Sequence, residues 1–120
     1  VKKMTLLIEG LNRIRDLVKD DIDRGQLGTG TNASNENDTN LQTPDTTTVL
    51  SLTKTTSEKQ VNFTFALPST GGTTATYTEF ELRKDATPVN YDRIVFTGIS
   101  FTLNGTEEIS VVKRYFFRRV

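Results

Sequence analysis

The chain has no cysteine, no histidine and no tryptophan, and only one methionine and three prolines in 120 residues. Without cysteine there can be no structural disulfide, thiolate zinc site or thiol nucleophile, although the compartment stays open because secreted and cytosolic proteins alike can lack cysteine. Without histidine the commonest general base near neutral pH and the commonest metal ligand are missing, so Ser-His-Asp and Cys-His constellations are excluded. An excess of charge is missing too. Fifteen Lys+Arg balance 15 Asp+Glu, which removes the electrostatic reason to expect nucleic acid or an anionic membrane as a partner. No apolar run approaches the roughly 20 residues that span a bilayer. Met4-Thr5-Leu6-Leu7-Ile8 stops at Glu9, and no export signal is recognisable, so a soluble chain is expected.

Leu, Ile, Val and Phe make up 33 of the 120 residues, above the roughly one-fifth below which a highly charged chain is expected to stay disordered. Threonine occurs 21 times, mostly after residue 28, which favours extended structure and polar loops over helix. The length fits a single domain over 1–120, expected as a helix (1–24), a short strand and long polar loop (25–46) and antiparallel strands (47–117).

Leu7, Leu11, Ile14, Val18 and Ile22 step by four, three, four and four, which places them on one face of a helix from Thr5 to Ile22. Leu17 widens the stripe, Thr5 is the expected cap and Gly25 the expected terminator. Gln26-Leu27-Gly28-Thr29-Gly30-Thr31 reads as a short strand. Residues 32–46 read as a loop rich in Asn, Ser, Thr and Asp, either laid over the surface with Leu41 as an anchor or used to contact a partner.

From residue 47 the pattern has period two. Leu50 and Leu52 belong to one expected strand, and Val61, Phe63, Phe65 and Leu67 to the next. After a turn at Pro68-Ser69-Thr70-Gly71-Gly72, the alternation puts Thr78, Phe80 and Leu82 on one face and Tyr77, Glu79, Glu81 and Arg83 on the other. Between Tyr91 and Leu103 the apolar phase shifts across Gly98, as a β-bulge would make it. Asn104-Gly105 reads as a tight hairpin turn. The last strand, Glu107 to Phe117, carries Ile109, Val111, Tyr115 and Phe117 on one face and Val112 and Phe116 on the other. The expected fold is mainly β, an antiparallel β-sandwich or meander with one N-terminal amphipathic α-helix.

Several short motifs carry chemistry elsewhere and are weighed here on context. Gly28-Thr29-Gly30-Thr31-Asn32-Ala33 fits G-x-G-x-x-A, but it follows a helix and lacks the βαβ unit that a dinucleotide site requires, so a glycine-rich strand end is expected. Glu79 and Glu81 share a strand face about 7 Å apart, near the spacing of glycosidase carboxylates. Two acids on a polar strand face with Arg83 beside them are expected to be a solvated surface instead. Glu36, Asp38 and Asp45 offer oxygens that suit calcium, but the D-x-[DN]-x-[DN]-G order is absent and an unliganded loop is expected. No catalytic, cofactor or metal residues are therefore assigned. The ending Lys113-Arg114-Tyr115-Phe116-Phe117-Arg118-Arg119 mixes cations with aromatics, a composition enriched at protein interfaces. Tyr115, Phe116, Phe117, Arg118 and Arg119, with Leu41 of the loop, are the expected subunit contacts.

Gly10-Leu11-Asn12-Arg13-Ile14-Arg15-Asp16-Leu17, then Leu27-Gly28-Thr29-Gly30-Thr31, then Asp38-Thr39-Asn40-Leu41, resembles the opening of small structural proteins of tailed bacteriophages. Those proteins have a helix with an "LRDL"-like segment, a "GTGT" strand, a "DTxL" loop and a strand meander. Glu79-Phe80-Glu81-Leu82 and Arg93-Ile94-Val95-Phe96-Thr97-Gly98-Ile99 look like its later part. The resemblance implies a non-enzymatic virion component, tail or tail-fibre associated, without cofactor, present as a homo-oligomer or in repeated copies and bound to itself or to other virion proteins. A capsid decoration (cement) protein is the alternative within that class. A carbohydrate-binding module is the alternative outside it, with Tyr77 and Tyr91 as its only plausible aromatics.

Overall fold

The computed structural model describes residues 7–57, 59–68, 73–85, 89–103 and 108–117. Helix α1 (Ile8–Asp21) begins at Leu7 without a side-chain cap and ends where Ile22 turns extended, its N–H still bonded to Val18 O. The expected cap, Thr5, lies outside the described residues. Gly25 does not terminate the helix; it sits in strand β1 (Arg24–Gly28), against the rings of Phe65 and Phe80. Only part of the expected apolar stripe is covered. Leu11 and Ile22 are buried and Val18 packs on the core, whereas Leu7, Ile14 and Leu17 are exposed.

Two antiparallel sheets follow, as the period-two pattern requires. After a 3-10 turn (Thr46–Thr48) come β2 (Leu50–Ser51), β3 (Thr53–Ser57), β4 (Gln60–Leu67), β5 (Thr73–Lys84), β6 (Val89–Leu103) and β7 (Ile109–Phe116). One sheet has the order β2-β1-β5-β6 and the other β3-β4-β7. The expected strand around Leu50 and Leu52 is in fact two strands in different sheets. The chain changes layer at Leu52, whose N–H bonds to Asp23 O at 3.3 Å. Likewise β6 pairs with β5 and β7 with β4, in different sheets; the turn expected at Asn104-Gly105 lies outside the described residues.

Alternation along β4 sends Val61, Phe63, Phe65 and Leu67 inward, where they meet Ile22, Leu27, Phe80 and Leu82. The Phe65 and Phe80 rings lie 5.1 Å apart. Burying each such side chain contributes roughly 1.5–3 kcal/mol before conformational entropy is subtracted. A β-bulge or similar irregularity, expected near Gly98, is present as a register slip; the side chains of Ile99, Phe101 and Leu103 lie outside those described. Between the pairs Tyr77↔Ile99 and Glu79↔Val95 the register slips, with the extra residues on the β6 side around Gly98. On β5, Tyr77 lies in the core with Phe80 and Leu82, and Thr78 donates its hydroxyl to Gly30 O. The alternation read from sequence had placed both on the opposite faces.

Candidate functional site

From Glu79 to Leu82, strand β5 is buried on both faces. Phe80 and Leu82 face the core, while Glu79 and Glu81, expected on a solvated surface, are 0% exposed. The long polar loop lies over them. Its return is fixed to β1 by main-chain bonds, Thr29 N–H to Thr43 O and Asp45 N–H to Leu27 O, both 3.0 Å, and by a bridge between Gly28 and Pro44. Thr48 Oγ1 accepts from Leu27 N–H and donates to Asp45 O at 2.7 Å. Leu41, 4% exposed, is the loop's apolar anchor. Burial takes it out of the set of expected subunit contacts.

Glu79 is the fastening point. Its Oε1 accepts from Thr43 N–H at 2.8 Å and its Oε2 from Gln42 N–H at 3.1 Å. Arg93, across the sheet on β6, donates to the same Oε2 from Nη2 at 2.8 Å and from Nε at 3.1 Å. It also reaches the other limb of the loop, donating to Asp38 Oδ2 and to Asn32 O, each at 3.0 Å. Gln42 Oε1 then accepts from the N–H groups of Thr31 and Asn32. Burial pushes the Glu79 carboxyl up, but the bonds from Thr43, Arg93 and the Gln42 and Gly30 amides outweigh it and hold its pKa below the usual carboxylate value. A charge desolvated this far is stable only because it is paired and fully hydrogen-bonded.

The glycines of the G-x-G-x-x-A segment belong to this cluster. A Cβ at Gly28 would lie 2.5 Å from Glu79 Oε1 and 2.6 Å from Thr43 O, and one at Gly30 2.4 Å from Gln42 Cβ and 2.7 Å from Glu79 Oε2. They are glycine because the carboxylate and the returning chain occupy the space where side chains would be. That agrees with the expectation of a strand end in place of a phosphate cradle, and adds the reason.

Glu81 has a different environment. Neither of its oxygens accepts a well-aligned hydrogen bond, although the Leu41 N–H bears on the carboxyl and helps to pull its pKa down. Arg83 Nη1 stands 3.6 Å away and is itself bonded to Gln26 Oε1 at 3.0 Å. Burial pushes the Glu81 pKa up to about 7, with Arg83 pulling it down and Glu79 pushing it up. Nearby, Tyr77 donates to Asp45 Oδ2 at 2.9 Å, and burial together with that carboxylate pushes the phenol up to about 12. Of the loop acids considered for calcium, Asp38 is thus paired with Arg93 and Asp45 is bonded to Tyr77 and to Thr47. Among the described residues no group of three or more acids is placed to hold a metal ion. Tyr77, 5% exposed, is also removed as a carbohydrate platform; Tyr91 is exposed and donates to Asp21 Oδ2.

The C-terminal contact residues divide by face, as the alternation along β7 dictates. Tyr115 packs edge-on against Phe63 with ring centroids 5.7 Å apart and donates to Asp92 Oδ2 at 3.0 Å. Phe117 packs on the core beside it. Phe116 and Val112 point outward, 64% and 52% exposed. Arg118 and Arg119 lie outside the described residues. Sequence reasoning missed the Glu79–Arg93 fastening, although a lone leucine in a polar loop and two glycines opposite two acids were the available signals. Comparison with known protein families, curated proteins and solved structures finds no match.

Proposed function

We propose that this chain is a non-enzymatic structural component of a phage virion, tail or tail-fibre associated, which acts by self-association through β7. The observation that carries the self-association is the outer face of that strand. β7 is an edge strand of eight residues, and Val112 and Phe116 stand out from it into solvent. An exposed edge with outward apolar side chains is a template for a further strand or a second sheet. The virion assignment rests on the sequence resemblance of the helix, the "GTGT" strand and the loop. A non-catalytic role is supported by the site chemistry: Glu79, whose pKa is depressed, is held by the loop amides and by Arg93.

The test is the molar mass of the purified protein by light scattering over a concentration series, beside the V112K/F116K variant. The reading expects a multiple of the 13.4 kDa chain mass for the wild type and a shift to monomer for the variant. A wild type that is monomeric at every concentration, or a variant with unchanged mass, would contradict self-association through β7.

A further inference from the structure

The main-chain groups of β7 point two ways. Phe117 N–H bonds to the O of Lys59, just before β4, and the β4–β7 register runs without a slip from Gln60↔Phe116 to Leu67↔Ile109. In an antiparallel ladder alternate residues turn both their N–H and C=O toward the neighbouring strand. Tyr115, Lys113, Val111 and Ile109 therefore face β4. Phe116, Arg114, Val112 and Ser110 aim theirs at the other side, where β7 ends its sheet and no further strand lies among the described residues. These are also the residues whose side chains stand on the exposed outer face. Natural edges are closed to other chains by prolines, bulges or inward-pointing charges. β7 has neither a proline nor a slip, and its inward charge, Lys113, is paired with Asp92 at 3.0 Å.

We propose that β7 pairs antiparallel with β7 of a second copy about a two-fold axis at Val112, so that two three-stranded sheets become one continuous sheet. This pairing rests on the reading that the chain self-associates through β7, and supplies that contact with a geometry. A two-fold pairing of the free main-chain groups can be centred on several residues, and charge chooses among them. Centred on Lys113 or on Arg114, it sets two like cations face to face, which destabilises a strand pair. Centred on Val112, it sets Val112 against Val112, Arg114 against Ser110, and Phe116 against Glu108, the exposed residue just before the strand. Arg114 then stands diagonal to Glu108 of the second copy, within reach of a long side chain, and the symmetry makes that ion pair twice. Centred on Val111, it carries Phe116 past Glu108 and shortens the overlap. The contact is closed, because each copy's edge is used up by the other, and assembly through it stops at a dimer.

The chain has no cysteine, so one introduced on the exposed face reports a single position. Directly opposed residues of a hydrogen-bonded antiparallel pair have Cα atoms about 5.5 Å apart, inside the span of a disulfide. The experiment oxidises V112C, S110C and R114C mildly, at a concentration where the wild type is assembled, and measures covalent dimer on non-reducing gels. Expected are a disulfide dimer for V112C, little for S110C or R114C alone, and a mixed dimer when those two are combined. In sedimentation, E108R and R114E each weaken dimerisation about tenfold, and E108R/R114E restores it. All these positions are exposed, and urea unfolding of each variant checks that the fold is intact. A wild type that is monomeric at every concentration would remove self-association through β7 and this pairing with it. A wild type that assembles while V112C cross-links no better than S110C alone, or an E108R/R114E chain as weak as either single variant, would overturn the strand pairing and leave a contact through the outer face.

Discussion

The outer faces of the two sheets are finished in opposite ways. Over β1, β5 and β6 the chain lays its own polar loop, fastened by Glu79 and Arg93 and leaving Glu79 and Glu81 fully buried. Over β7 it lays nothing among the described residues, and Val112 and Phe116 meet solvent. The covered face is sealed by hydrogen bonds to fixed main-chain groups, which define one geometry and keep other chains out. The bare face presents Val112 and Phe116 beside Ser110 and Arg114, and on the proposed reading its apolar side chains meet a second copy. On the proposed reading, the difference puts internal order on one side of the sandwich and self-association on the other.

Breaking the fastening gives the largest expected effect. In R93A, Glu79 keeps its burial and loses its cation, which costs about 3–5 kcal/mol; urea unfolding would show a lowered midpoint, and proteolysis would cut within residues 32–43. Next in size is E81Q, whose sign depends on pH. Glu81 titrates near 7 in the folded chain and near 4.5 when unfolded, so the folded state binds the extra proton. Its contribution is fully present below about pH 4.5 and is lost as pH rises through 7. The glutamine variant is therefore expected to be more stable than wild type at pH 8, by up to about 3 kcal/mol, and this advantage shrinks as the pH is lowered toward 4.5. Glu79, with its depressed pKa, works the other way, and its contribution fades only in more acidic solution. A thermal melt series from pH 4 to 9 on both proteins separates the two acids.

G28A sharpens the comparison from the backbone side. Its methyl group would enter the space of Glu79 Oε1 and Thr43 O, and forced overpacking of this kind costs about 1–3 kcal/mol. The smallest effect on folding is expected on the bare face. V112K/F116K should change unfolding free energy by no more than about 0.5 kcal/mol, the usual range for exposed sites, while lowering the assembled mass. A large loss of stability in that variant, measured by the same urea titration, would mean that the outer face of β7 is covered within the chain.

These two faces also differ in how far they were legible in the sequence. The outward phase of Val112 and Phe116, the inward run from Val61 to Leu67 and the slip at Gly98 follow from period two, because water on one side of a strand and apolar packing on the other leave an alternating trace. The same trace misled at Glu79 and Glu81. A loop that covers a sheet with amides and side-chain oxygens buries acids without changing the apolar pattern, so the alternation read them as wet. The sheet order was hidden for a related reason: Leu50 and Leu52 keep one alternation while the chain crosses from one layer to the other between them. The helix erred in the opposite direction, since five evenly spaced apolar residues imply a covered stripe, and Leu7 and Ile14 of that stripe are exposed.

Backbone amide hydrogen exchange, followed residue by residue at protein concentrations below and above the onset of assembly, tests the contrast most directly. The account predicts that Thr29, Gln42, Thr43 and Asp45 are protected equally at both concentrations, because their partners lie in the same chain, and that alternate amides along the free edge of β7 become protected only at the higher one. Loop amides that exchange as fast as an unfolded chain, or β7 amides indifferent to concentration, would contradict it.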